Sequence, residues 1–248
     1  MSSTQQRVAL VTGSAKRIGA EVVHKLHAEG MNVILHYNGS QQLAEQIANE
    51  LNAVRPDSLR LIRHNLLDFD QLNEFSQDVL SYYGRLDVLI NNASTFYPTP
   101  METLNHEQWD DLIGVNLKAP LFLSHAFASA LKSSNNGNII NIVDIHSGRP
   151  LKDYPIYSVA KAGLKMLTKS LARELAPQVR VNGVSPGAIM WPEVEEYEPM
   201  HEEIIERTAL KREGHPKDIA DSVWFLLSAA DYITGQIIAV DGGRTLSN

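Results

Sequence analysis

The 248-residue chain contains no cysteine, which excludes disulfides and thiolate-held metals. It has no apolar run near the roughly twenty residues that a membrane-spanning helix needs, so no membrane association is expected. The first residues, Met1-Ser2-Ser3-Thr4, lead into a strand-like Val8–Val11 without a signal-peptide pattern. These absences point to the cytoplasm. Positive charge is not in excess either: the formal net charge is −7, which argues against nucleic acid as the main partner. The nine histidines show no metal-ligand spacing with carboxylates, so no metal is expected. No Pro/Gly/Ser linker divides the chain, which reads as one domain over residues 1–248.

What is present is alternation. Short β-branched runs recur at Val8–Val11, Val33–Leu35, Leu59–Ile62, Val88–Ile90, Ile139–Val143, Val179–Val184 and Ile237–Val240. Between them lie amphipathic segments of helical spacing, at Ala20–Glu29, Leu43–Leu51, Leu72–Tyr82 and Ala160–Leu175. Strand and helix alternating on this scale predict right-handed βαβ units and a doubly wound α/β domain on a seven-stranded parallel sheet. Residues 188–208 break the rhythm with Trp191, Pro192, Pro199 and a crowd of glutamates. An irregular insert of that length reads as a substrate lid.

The first strand ends in Thr12-Gly13-Ser14-Ala15-Lys16-Arg17-Ile18-Gly19. Gly13 suits a tight turn and Gly19 close helix packing, with backbone N–H groups at the helix start facing a pyrophosphate. Arg17 stands where such a turn ordinarily carries glycine; its guanidinium offers donors to phosphate or a face to an aromatic ligand. The second strand ends in His36-Tyr37-Asn38-Gly39-Ser40, without the carboxylate that binds the free ribose hydroxyls of NAD. With Lys16 adding charge and Asn38 and Ser40 adding donors, this segment favours NADPH.

The chain resembles the short-chain dehydrogenase/reductases from about Val8 to Gly243. The resemblance rests on the Thr12–Gly19 turn, Asn91-Asn92-Ala93, Asn116, Tyr157 with Lys161, Pro186-Gly187, Ile233-Thr234-Gly235-Gln236 and Val240-Asp241-Gly242-Gly243. Within that family it is similar to the pteridine reductases. Arg17 replaces the middle glycine, Asp144 replaces a serine, and residues 91–100 read Asn-Asn-Ala-Ser-Thr-Phe-Tyr-Pro-Thr-Pro. The resemblance implies a Rossmann-type fold, reduction of dihydropterins at a C=N bond, and a homotetramer with the Trp224–Leu227 run near its interface. Oxidised pterins and dihydrofolate are further candidate substrates.

The resemblance also implies roles. Asp144, Tyr157, Lys161 and Asn116 form the catalytic set. Tyr157 is the acid, Lys161 holds the nicotinamide ribose and lowers the tyrosine's pKa, and Asn116 kinks a helix and holds a water. Asp144 beside Tyr157 relays a proton to ring nitrogen, and the like-charge rule has it raise the tyrosine's pKa; an aspartate capping the next loop is the structural alternative. Gly13, Lys16, Arg17, Ile18, Gly19, His36, Asn38, Ser40, Asn65, Leu66, Asn92, Ala93, Tyr157, Lys161, Pro186 and Gly187 are expected around the cofactor. Arg17, Ser94, Phe96, Tyr97, Asp144 and Tyr157 are expected around the substrate, with Phe96 stacking on the pterin. Asn65 stands where many members carry aspartate, and Gly39 where pteridine reductases often carry arginine. Two other readings compete: a carbonyl or 3-ketoacyl reductase, and a silent nucleotide sensor that kept the fold.

Overall fold

The computed structural model describes residues 6–189 and 198–246. Seven strands form one parallel sheet: β1 Val8–Val11, β2 Asn32–Tyr37, β3 Leu59–Arg63, β4 Val88–Asn91, β5 Gly137–Ile142, β6 Val179–Pro186 and β7 Ile237–Val240, in the order β3-β2-β1-β4-β5-β6-β7. Each run expected as a strand is one. Side chains alternate across the sheet, so Ala9 and Val11 face one layer while Val8 and Leu10 face the other.

The first layer consists of α1 Arg17–Ala28, α2 Gln41–Val54 and α8 Pro216–Ser228, which bury Val22, Leu26, Ile47, Leu51, Ile219 and Val223. The second consists of α3 Leu72–Tyr83, α5 Ala119–Ser133 and α6 Pro155–Glu174, which bury Phe75, Val79, Leu123, Phe127 and Ala172. Each fully buried Leu or Phe contributes about 1.5–3 kcal/mol of transfer free energy, so the two apolar layers fix the register of every strand between them. This is the doubly wound Rossmann-type fold that the alternation predicts.

Between β4 and α5 the chain runs through α4 His106–Ile113 and a π-turn, Gly114–Lys118. Asn105 caps α4 with a reciprocal capping box to Gln108. Part of the expected irregular insert is regular: α7 spans Glu198–Glu206. Its Glu- and Ile-containing sequence forms helix readily, and a proline near a helix start costs no intrahelical bond. Trp191 and Pro192 lie outside the described residues. Among the described residues, no helix is long and apolar enough to cross a membrane.

Candidate active site

From β1 the chain winds outward through β2 and β3, then returns to the other side of β1 as β4. At such a reversal the loops after the two central strands part and leave a crevice at the strand C-termini. Here those loops are Thr12–Lys16 and Asn92–Thr95, and they are locked together. Thr12 Oγ1 accepts from the Asn92 and Ala93 N–H groups, both at 3.0 Å. The Asn92 amide donates back to the Thr12 and Gly13 carbonyls at 2.9 and 3.0 Å. Gly13 takes φ +60, and a Cβ there would lie 2.7 Å from the Ala93 Cα. Only glycine fits.

His36, expected beside the cofactor, sits beneath this turn, 2% exposed. Its Nδ1 accepts from the Gly13 N–H at 3.0 Å. That nitrogen therefore carries no proton, and Nε2–H donates to the His64 carbonyl at 3.0 Å. Burial pulls the imidazole pKa down to about 4. Both ring nitrogens are spent on the protein, so His36 positions the turn and presents no polar atom to a ligand.

Above the turn, Lys16 and Arg17 are exposed at the start of α1, whose first turn holds no acid. Arg17 has φ 53, the left-handed conformation that glycine adopts freely; this position keeps the backbone shape of a glycine turn while carrying a guanidinium. Ile18 is half-buried, and Gly19 packs against Asn92, whose Nδ2 would lie 2.6 Å from an added Cβ. A cleft of about 220 Å³ opens here, lined by Gly13, Lys16, Asn38, Ser40, Asn65, Leu66 and Ala93 among others. Lys16, the absence of carboxylates in the lining and the N-terminus of α1 without a side-chain cap fit a dinucleotide's phosphates. On the far side, Gly187 follows β6, where a Cβ would meet the Asp241 Cα at 2.7 Å; Pro186 ends that strand. A larger cavity, about 570 Å³, lies between Thr208–Leu210 and Asp241–Gly243, and neither Asp144, Tyr157 nor Lys161 lines it.

The catalytic candidates converge where β5 ends and α6 begins. The Tyr157 hydroxyl donates to Asp144 Oδ2 at 2.8 Å. Asp144 Oδ1 meanwhile accepts from the His146 N–H at 2.7 Å and caps the short 3-10 turn Ile145–Ser147. One carboxyl group thus fills both roles that the sequence left as alternatives for its geometry: capping the loop and sitting against the tyrosine. Burial first, then the Asp144 carboxylate, holds the Tyr157 hydroxyl well above its ordinary pKa. The expectation that Lys161 would lower it is not met in the net direction. Lys161 lies one turn along α6 with Nζ 5.6 Å from the Tyr157 ring centroid, and that Nζ donates to the Ile142 carbonyl at 3.0 Å. Burial brings Lys161 down to about 8.

Asn116 does lie in a helix irregularity, the π-turn, a common device for placing one side chain. Its amide donates to the Leu112 and Thr95 carbonyls at 2.9 and 3.0 Å, and its Oδ1 accepts from Ser94 at 2.6 Å. The asparagine therefore binds the post-β4 loop, and it holds Ser94 beside Tyr157, whose pKa Ser94 acts to lower.

Phe96 is 54% exposed, too open for a core residue. Its ring stacks on Tyr154 at 4.6 Å and meets Tyr157 edge-on at 4.8 Å, which makes an aromatic wall beside the Tyr157 hydroxyl. Tyr97 packs against the cluster of Leu112, Ile156 and Tyr157, and burial and a bond to Asp111 push its hydroxyl up to about 12.

Two residues escaped the sequence reading. Tyr154, the residue before α6, carried a signal in its spacing, one helical turn ahead of Tyr157. Arg63 carried none: its Nε donates to the Asn38 carbonyl at 3.1 Å across 25 residues of sequence.

Residues 13–245 match a family model described as enoyl-(acyl carrier protein) reductase. Pteridine reductase 1 of Leishmania tarentolae is 37% identical over 97% of this chain and 96% of its own. A 3-oxoacyl-acyl-carrier-protein reductase of Staphylococcus aureus is 36% identical over 95% of this chain and 96% of its own. With this sheet order, glycine turn and Tyr157–Lys161 pair, the chain belongs to the short-chain dehydrogenase/reductase family and is an oxidoreductase of that family.

Proposed function

We propose that the protein is an NADPH-dependent pteridine reductase that reduces dihydropterins at a C=N bond. The observation that carries this reading is the 2.8 Å bond from Tyr157 to a carboxylate, at the position where a ketone reductase of the family needs a second hydroxyl donor. A carbonyl oxygen beside Asp144 would face an acceptor. A C=N substrate makes a different demand. Bound reduced nicotinamide supplies hydride to carbon, and the protein must bring a proton to ring nitrogen.

Tyr157 is protonated at neutral pH, since burial and Asp144 both favour its neutral form. It gives that proton to the ring nitrogen, and Asp144 relays its replacement. The exposed Phe96 ring offers a flat face for a bicyclic pterin, a stacking contribution of about 0.5–1.5 kcal/mol beyond area burial. Gly13, Lys16, Arg17, Ile18, Gly19, Asn38, Ser40, Asn65, Leu66, Asn92, Ala93, Pro186 and Gly187 would hold the dinucleotide, with Lys161 on its ribose. The reading extends to a homotetramer in the cytoplasm, with residues 188–208 as the lid of a single domain.

The second reading, a 3-ketoacyl reductase, is favoured by the Staphylococcus relative at 36% identity. NADPH oxidation separates the two: turnover with dihydrobiopterin and none with an acetoacetyl ester is expected. The reverse would establish the second reading, and tight NADPH binding without turnover would indicate a sensor. Asp144→Ser is expected to slow pterin reduction by about 10²–10⁴-fold; an unchanged rate would remove Asp144 from proton transfer.

A further inference from the structure

β2 and β3 end side by side at the outer rim of the cleft, with Tyr37 paired to Arg63. The Arg63 Nε donates to the Asn38 carbonyl at 3.1 Å, which holds the guanidinium against the Asn38–Ser40 turn. Among the described residues this is its one hydrogen bond, and no carboxylate pairs with it. Arg60 on the same strand is paired, at 3.0 Å from Asp57. The two terminal nitrogens of Arg63 are therefore anchored by the Nε bond and uncommitted, a fork shaped for two oxygens.

The surroundings suit an anion. No carboxylate lines the cleft, while Lys16 does. Gly39 adds room, because a Cβ built there meets nothing within 4 Å. The guanidinium is thus held against the Asn38–Ser40 turn, and that turn lines the same cleft as Lys16.

We propose that Arg63 selects the cofactor, by receiving the phosphomonoester on the 2′ position of the adenosine ribose. Lys16 is the second cation at that phosphate. The assignment rests on the NADPH reading above. A dinucleotide with a plain 2′-hydroxyl gains nothing comparable from the guanidinium, so Arg63 acts on one cofactor and leaves the other alone.

The test is fluorescence titration of the purified full-length enzyme with NADPH, NADH and adenosine 2′,5′-bisphosphate. Wild type is expected to prefer NADPH. Arg63→Gln should weaken NADPH and the bisphosphate by about 10- to 100-fold, with NADH affinity unchanged. Arg63→Lys should recover only part of the loss, because it restores charge without the fork. Salt should weaken NADPH binding more in wild type than in Arg63→Gln. Equal loss of both dinucleotides in Arg63→Gln would make the residue a structural support and overturn the proposal. Retained NADPH preference in that variant would overturn it while leaving the NADPH reading intact. A wild type without preference would overturn both.

Discussion

The floor of the site and its outer rim both use glycine, but under opposite constraints. On the floor, Gly13 lies against Ala93, His36 has both nitrogens engaged, and Lys161 is buried under Ile142. At the rim, Asn38, Gly39, Arg63 and Asn65 are exposed, and Gly39 has empty space where a side chain would go. The floor uses glycine because nothing else fits; the rim has glycine where almost anything would. Under the function proposed above, chemistry that needs fixed distances would sit on the floor, and discrimination between cofactors where residues can change without cost to the fold.

The sharpest way to break this contrast is Gly13→Ala. A left-handed conformation and a backbone contact of 2.7 Å together should cost about 2–5 kcal/mol and abolish dinucleotide binding. Urea denaturation and cofactor titration read the two losses. An alanine there that keeps both stability and affinity would mean the floor is less crowded than described.

A smaller effect comes from Lys161. Its folded pKa of about 8 lies below the ordinary lysine value of 10.5. The unfolded chain therefore binds more protons between those values, and stability should rise with pH from about 8 to 10, by about 2 kcal/mol. Above that window the raised Tyr157 pKa acts in the opposite sense. Denaturation midpoints across this pH range should climb in wild type and stay flat in Lys161→Met. A parallel climb in both would place the titrating group elsewhere.

The smallest effect belongs to the rim. Gly39→Ala should change stability by no more than about 0.5 kcal/mol, on the stabilising side, since it only stiffens the unfolded chain. A loss comparable to that of Gly13→Ala would erase the distinction between the two regions.

The same contrast explains what was legible in the sequence. All seven strands were, because a central parallel strand must be apolar on both faces and is bounded by turn residues. The turn at Gly13 and the Tyr157–Lys161 pair were legible because both depend on local spacing. Asp144 beside Tyr157 came from the family pattern, yet its second bond to His146 depends on how the loop after β5 turns. Helix α7 hid among prolines and glutamates that read as irregular. His36 was expected at the cofactor from its position at the end of β2, and it does line the cleft, but only the fold shows the Gly13 and His64 groups that engage its ring nitrogens. Arg63 was invisible, because its partner is on another strand's loop and no pattern of types or intervals announces the contact.

The two-sided engagement of Asp144 has a consequence for how the residue can be replaced. Both of its oxygens face donors, the His146 N–H on one side and the Tyr157 O–H on the other. An amide has one oxygen and one NH2, so Asp144→Asn must turn its NH2 toward one of those donors. If the amide oxygen keeps the backbone cap, the tyrosine loses its acceptor and must rotate its hydroxyl; if it keeps the tyrosine, the loop after β5 loses its cap. The near-isosteric swap is therefore the frustrated one here, and this corner of the protein accepts a carboxylate because it is the only side chain of that length that is an acceptor at both ends.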